Sequence, residues 1–429
     1  MKADELILYR NFKHQEVFDK VAKLYNESDR DRSNDRSLAT EVVGELVEIA
    51  VKHGFEGNLW HCFLAYILVN NENAFSISSE KRSEISGSLN QIARHDFWIF
   101  EDCFSWNLEE IDNAIGVNCF ALIEDFKSSN SDGAAFNRRI RDRICDLAKS
   151  LAGVNDADAF IEIMREFYHD FGVGKFGLHK AFRLENDRDG NTVIAPITRV
   201  KHVELDDLIG IDLQKQKLCE NTEAFLAGRP ANNVLMFGDA GTGKSSSIKG
   251  ILNKYYSAGL RIIEVYKHQF KELNDLITQV KNRNYKFIIY MDDLSFEDTE
   301  TEYKYLKAVI EGGLEKKPDN VLIYATSNRR HLIHENFGDK LDVHRNDDLH
   351  ESDTVQEKLS LSARFGVKIY FGRPGKKEFN TIVKAIAERN DIKLSEEELL
   401  SEANKWELSH GGMSGRTAEQ FIDYLLGKE

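Results

Sequence analysis

Apolar residues recur at spacings of three and four through roughly the first 170 positions, as in Val17, Phe18, Val21, Leu24 and Tyr25, and again in Leu38, Val42, Leu46 and Ile49. That period lays one apolar stripe along one face of a helix, so the stretch predicts a set of amphipathic helices packed on a common core. Polar runs at 26–37 and 128–133 predict breaks between helices. The most apolar run, Leu59 to Val69, contains His61. It falls short of the ~18 residues a spanning helix needs and predicts a buried core helix instead.

The pattern then changes. Around Asp187-Arg188-Asp189-Gly190-Asn191 it alternates, which predicts a β-hairpin between Phe182 and Ile197. Beyond it, short β-branched runs alternate with helical stretches: Val234 to Phe237, Ile262 to Tyr266, Phe287 to Met291, Val321 to Ala325 and Val367 to Phe371. Five apolar strands separated by helices predict an α/β fold with a parallel five-stranded sheet. After Pro374 the helical period returns, with Phe379, Ile382, Val383 and Ile386 on one face. The predicted organisation is an all-α N-terminal domain (1–180), a β-hairpin linker (181–202), an α/β core (203–373) and a small helical domain (374–429).

Composition narrows the function. Aromatics (26 Phe, 14 Tyr, 4 Trp) are too many for a disordered chain. A net charge of −15, from 57 basic and 72 acidic residues, argues against a surface built to coat nucleic acid or anionic membrane. Five cysteines without a CxxC pair point to buried reduced thiols rather than to a zinc site or disulfide framework. The N-terminus, Met1-Lys2-Ala3-Asp4-Glu5-Leu6, lacks the apolar segment of a signal peptide. A cytoplasmic protein with no membrane span is expected.

One motif carries chemistry directly. Gly238-Asp239-Ala240-Gly241-Thr242-Gly243-Lys244-Ser245, followed by Ser246, fits GxxxxGK[ST] between an apolar strand and a helix. Glycines let backbone N–H groups curl around phosphates, the helix end adds positive potential, and Lys244 reaches the β and γ phosphates of ATP. The Ser245 hydroxyl is placed to ligate Mg²⁺. The run Phe287 to Met291 ends in Asp292 and Asp293, of which Asp292 would hold Mg²⁺ and Asp293 would polarise a water. Thr326-Ser327-Asn328 ends the next run in a polar cluster placed to hold the attacking water or the γ-phosphate. Arg364 precedes the last strand and would suit charge stabilisation if a neighbouring subunit presented it. Arg416 falls in the first turn of the final helix, where the dipole disfavours a cation and a bound phosphate would compensate. A second glycine string, Gly172-Val173-Gly174-Lys175-Phe176-Gly177, has no preceding strand and is read as a loop. The four histidines between His331 and Glu357 lack the spacing of a metal motif and are read as part of an acidic loop.

Taken in order, the phosphate loop, Asp292-Asp293, Asn328, Arg364 and Arg416 resemble an AAA+ ATPase module covering about Val203 to Glu429. Leu205-Asp206-Asp207-Leu208-Ile209-Gly210-Ile211-Asp212 resembles the family's opening segment, which implies that Ile209 and Gly210 border the adenine. The resemblance further implies that Asn328 is the first sensor, Arg364 the arginine finger and Arg416 the second sensor, in a homo-oligomer with sites at subunit interfaces. Asp292-Asp293-Leu294-Ser295-Phe296-Glu297, Leu306 to Gly313, Ala325 to Leu332 and Ser414 to Phe421 are more specifically similar to a bacterial ATP-binding family defined only as a domain of unknown function. Two features depart from the AAA+ pattern. Asp293 stands where most members have Glu, as in bacterial replication initiators, and Tyr266 to Phe270 lacks the aromatic-apolar-Gly loop of protein-threading relatives. The expected function is Mg²⁺-dependent ATP binding and hydrolysis acting on an unknown protein client. The alternatives are a nucleic-acid-associated ATPase of the initiator or helicase-loader type, which the charge disfavours, and a nucleotide-gated scaffold with little turnover.

Overall fold

A computed structural model describes residues 3–26, 35–81, 87–128, 136, 138–187, 189–296, 300–311, 318–328 and 361–428. The breaks expected at 26–37 and 128–133 and the histidine-containing segment 331–357 fall largely or wholly outside them. The chain divides into two compact units, Met1–His179 and Lys180–Glu429.

The N-terminal unit is helical: α1 (Gln15–Asn26), α2 (Asp35–His53), α3 (Leu59–Asn70), α4 (Ala74–Lys81), α5 (Ser88–Ser105), α6 (Glu109–Ile115), α7 (Arg138–Ala152), α8 (Ala157–Phe171) and α9 (Gly174–Leu178). Ten of the twelve residues of α3 are buried, so the most apolar stretch of the sequence is the central helix of this unit. Asn58 caps it, its side chain accepting from the His61 N–H at 3.0 Å. The α1 stripe of Val17, Phe18, Val21 and Leu24 is buried as its period requires. The Asp96 carboxylate, wholly buried on α5, accepts the backbone N–H groups of Ile7, Leu8 and Tyr9 at 2.9, 2.7 and 3.0 Å. These bonds fasten the N-terminal segment to α5. Residues 174–178 correct the expectation of a loop, because they form one helical turn. A Cβ on Gly177 would meet the backbone of Gly172 at 2.6 Å, so close chain packing explains this glycine without any phosphate.

The C-terminal unit holds β1 (Ala181–Asn186), β2 (Thr192–Pro196), α10 (Asp212–Leu226), β3 (Val234–Gly238), α11 (Lys244–Tyr255), β4 (Leu260–Glu264), α12 (Leu273–Val280), β5 (Lys286–Met291), α13 (Tyr303–Glu311), β6 (Val321–Ser327), β7 (Val367–Phe371), α14 (Lys376–Arg389), α15 (Glu396–Ser409) and α16 (Gly415–Leu426). The sheet order is β2-β1-β4-β5-β6-β3-β7. The five strands from β3 to β7 are mutually parallel. Every residue of β6 and five of the six in β5 are buried, the continuous apolar run expected of strands covered on both faces.

Two differences from expectation have local causes. The hairpin read as a linker joins the sheet: β1 pairs antiparallel with β2 and parallel with β4, adding two strands to the five. Pairing satisfies the backbone groups along β4 that would otherwise form an open edge. The strand expected at 262–266 runs from Leu260 to Glu264, since it starts directly after the turn at Gly259, and Tyr266 already opens a 3₁₀ turn. Helices α14, α15 and α16 bury Phe379, Val383, Leu399, Ala403, Phe421 and Ile422 against one another, forming a small helical lid.

Candidate functional site

Parallel strands present their C-terminal ends along one edge, and three of them build the site. β3 ends at Gly238, where an added Cβ would run into the Phe371 carbonyl of β7, so only glycine lets the chain turn here. The following N–H, of Asp239, donates to that carbonyl at 3.0 Å. After the loop, α11 begins at Lys244.

Lys244 is almost fully buried. Its ammonium donates to the Gly238 and Asp239 carbonyls at 3.0 and 2.6 Å and to Asn328 Oδ1, beyond the end of β6, at 2.9 Å. Burial pulls its pKa below the ordinary lysine value, while the charges of Asp293, Asp239 and Asp292 oppose that fall. Asn328 Nδ2 donates in turn to Asp293 Oδ1 at 2.8 Å. A chain of contacts thus links lysine, asparagine and carboxylate.

The second carboxylate is held differently. Asp292 Oδ1 accepts hydrogen bonds from Tyr290 OH at 2.6 Å, Thr326 Oγ1 at 2.6 Å and Ser245 Oγ at 2.8 Å. Partial desolvation raises the Asp292 pKa, but the hydroxyls of Thr326, Tyr290 and Ser245 outweigh it and leave the carboxyl below its ordinary value. The Tyr290 hydroxyl is pushed far above its own ordinary value, by burial first and by the Asp292 charge second, so it remains a donor. The Asp293 N–H donates to Thr326 Oγ1 at 2.9 Å, with Asp293 itself in the left-handed region at φ 49°. A non-glycine residue there carries on the order of 1–2 kcal/mol of local strain.

These groups face a cavity of about 540 Å³. Ala240, Gly241, Thr242, Gly243, Ser245 and Ser246 line one wall, together with Lys244. Asp292, Asp293 and Asn328 also line it. The segment before α10 contributes Leu208, Ile209, Gly210 and Ile211, which face Ile382 and Ile386 of α14 and give that end an apolar character. Arg416, exposed in the first turn of α16, lines the cavity as well, and its backbone N–H reaches the Gly241 carbonyl at 3.3 Å. Ser414 caps this helix, accepting from Thr417 N at 3.1 Å. The lid therefore contacts the glycine loop directly.

Three residues singled out in the sequence do not line the cavity. Gly238 lies beneath it, and the Asp239 carboxylate turns to the Arg373 N–H at 3.2 Å. Arg364 stands away from the wall, its guanidinium paired with Glu311 at the end of α13. Conversely, Tyr290, which has no role in the sequence reading, helps set the charge of Asp292, and Thr326, expected there in a cluster holding water or γ-phosphate, instead bonds Asp292. Tyr290 was findable, since it stands two residues before Asp292 at the end of an apolar strand.

The match to a known family covers residues 178–429, more than half of the chain, and that family is described as "Protein of unknown function (DUF815)". The chain belongs to the DUF815 family. No curated protein sequence matches it. Among solved structures, the DUF815 chain aligns with a mutant RuvB of Thermotoga maritima at 14% identity and a TM-score of 0.33, covering 52% of this chain and 72% of that one. The FIGL-1 AAA domain in complex with ADP aligns at 16% identity and a TM-score of 0.36, with the same coverage. Scores this low decide nothing about the site. What the chain itself carries is a parallel sheet, a glycine loop after β3, paired carboxylates after β5 and a small helical unit whose Arg416 N–H meets that loop. Among the described residues no helix is long and apolar enough to cross a membrane.

Proposed function

We propose that the cavity binds ATP with Mg²⁺ and hydrolyses it, and that the DUF815 chain is an AAA+ ATPase acting on a protein client. The observation that carries this reading is the buried Lys244 ammonium at the glycine loop, held by two loop carbonyls and Asn328 in a wall that also contains two carboxylates. A desolvated cation costs free energy unless an anion arrives, and the γ-phosphate is the group such a loop accommodates.

The donor set fits a hard divalent cation. Ser245 Oγ and the ionised Asp292 carboxylate, 2.8 Å apart, are oxygen donors of the type magnesium prefers, and they would hold it. When bound, the metal neutralises charge on the phosphate oxygens. The chain's own groups do the rest. Ile209 and Gly210 border the base, Lys244 and the loop N–H groups orient the phosphates, and Arg416 adds a cation from the lid. Asn328 and Asp293 hold the attacking water and Asp293 takes its proton as the new P–O bond forms and the bond to ADP breaks. Arg364 exchanges its Glu311 partner for the γ-phosphate of a neighbouring subunit in a homo-oligomer. The Asn328 bond to the short Asp293 side chain favours a second reading, a nucleotide-gated scaffold with slow turnover.

Calorimetry with Mg²⁺-ATP on Lys244→Ala tests the first reading. Loss of measurable binding in a folded variant is expected, and unchanged affinity would overturn it. Turnover by the unmodified chain separates the two readings, since the scaffold binds ATP without releasing phosphate.

A further inference from the structure

Two of the five cysteines meet far from the cavity in sequence. Cys62 on α3 and Cys145 on α7, 83 positions apart, bring their sulfurs to 3.9 Å in the core of the N-terminal unit. The Cys62 sulfur also lies 3.5 Å from the Glu56 carbonyl. Arg141 and Lys149 stand one turn before and one turn after Cys145 on α7, on the same face. Arg141 is shared with Asp142, whose carboxylate lies at 2.6 Å.

These contacts bias the two sulfurs in opposite directions. The hydrogen bond from Cys62 comes first in holding the Cys145 thiol below its ordinary value, with the Glu56 backbone, Arg141 and Lys149 adding to it against burial. Cys62 is pushed up by Cys145 and by burial. Access is graded the same way: Cys145 is 8% exposed, Cys62 2% and Cys103 not at all.

We propose that Cys145 and Cys62 form a peroxide-responsive thiol pair, with Cys145 the attacking thiolate and Cys62 the resolving thiol. The Cys145 thiolate attacks one oxygen of hydrogen peroxide. An S–O bond forms, the O–O bond breaks, and the departing hydroxide takes a proton to become water, leaving a sulfenic acid on Cys145. Cys62 then attacks Cys145 Sγ. The S–S bond forms as the S–O bond breaks, and the leaving oxygen departs as a second water with the Cys62 proton. Two thiols are oxidised and one peroxide is reduced. Closure brings the sulfurs from 3.9 Å to the ~2.05 Å of a disulfide. A low-pKa thiol beside a resolving partner is the arrangement that stops oxidation at a reversible stage.

The test uses the full chain, treated with graded hydrogen peroxide, blocked with N-ethylmaleimide under denaturing conditions and mapped by peptide mass spectrometry. The expected result is a cross-link between the Cys62 and Cys145 peptides, lighter by two hydrogens and reversed by dithiothreitol. It should form before Cys119 or Cys219 is oxidised, although both of these are more exposed. At pH 7 Cys145 should alkylate roughly tenfold faster than Cys119. In Cys62→Ser the Cys145 sulfenic acid should persist long enough for dimedone to trap it, and in Cys145→Ala Cys62 should stay reduced. A wild-type pair that remains reduced while Cys119 or Cys219 oxidises overturns the proposal, and that measurement depends on no variant folding.

Discussion

Thr326→Val keeps the shape of a side chain that is 1% exposed while removing a hydroxyl with two partners. The hydroxyl donates to Asp292 Oδ1 at 2.6 Å and accepts from the Asp293 N–H at 2.9 Å. A hydrogen bond to a charged group is worth ~1.5–3 kcal/mol, but Asp292 is more than a third exposed and solvent screens it, so the low end applies. With the lost acceptor of Asp293 N included, the expected cost is about 1–2 kcal/mol of local stability. Hydrogen exchange over residues 286–296 reads this as a loss of protection of roughly 5- to 30-fold at pH 7. The pH dependence has a definite sign. The folded pKa of Asp292 is depressed relative to the ordinary 3.8, so its contribution is fully present above that value and fades as pH falls through the folded one. The gap between wild type and Thr326→Val should therefore be full at neutral pH and shrink below about pH 4, down to the part due to Asp293 N. Thr326→Ser, which retains the hydroxyl, should stay near wild type. A protection loss under twofold in Thr326→Val, or an equal loss in Thr326→Ser, would refute the reasoning.

Other outcomes follow from separate contacts. Gly238→Ala drives a methyl into the Phe371 carbonyl at φ 137°, so the thermal transition of the C-terminal unit should fall by several degrees, and an unchanged transition would remove the steric argument. Asp96→Ala strips the acceptor from Ile7, Leu8 and Tyr9 N–H, costing about 3 kcal/mol, and exchange should show those three amides losing protection while α3 keeps it. Arg364→Ala should bind ATP normally yet lose on the order of 10³ in kcat, and mixing it with Lys244→Ala should restore part of the activity through hybrid interfaces. DNA should not stimulate turnover at physiological salt; a complex that accelerates hydrolysis and weakens by ~0.9 log units per log unit of salt for each phosphate contacted would favour the nucleic-acid reading.

What could be read from sequence depended on how local its physics is. The parallel strands, the glycine loop and the paired aspartates were legible because each is carried by a run of neighbouring residues: an apolar strand, a turn that requires glycine, a helix start. The pairing of β1 with β4 was not, since it joins segments some 80 residues apart and leaves no trace in either one. Side-chain partnerships behave likewise. Arg364 reads as an isolated cation until α13 delivers Glu311 to it, and Cys62 and Cys145 read as unrelated buried thiols until α3 and α7 set their sulfurs at 3.9 Å. The charge state of Asp292 lies between these cases. Tyr290 lies two residues before it at the end of β5, so one of the three donors is a sequence neighbour, whereas Thr326 and Ser245 arrive from β6 and α11. A motif thus names the carboxylate, but the fold sets its pKa, because two of the three hydroxyls that hold it ionised come from elements that only the sheet order brings together.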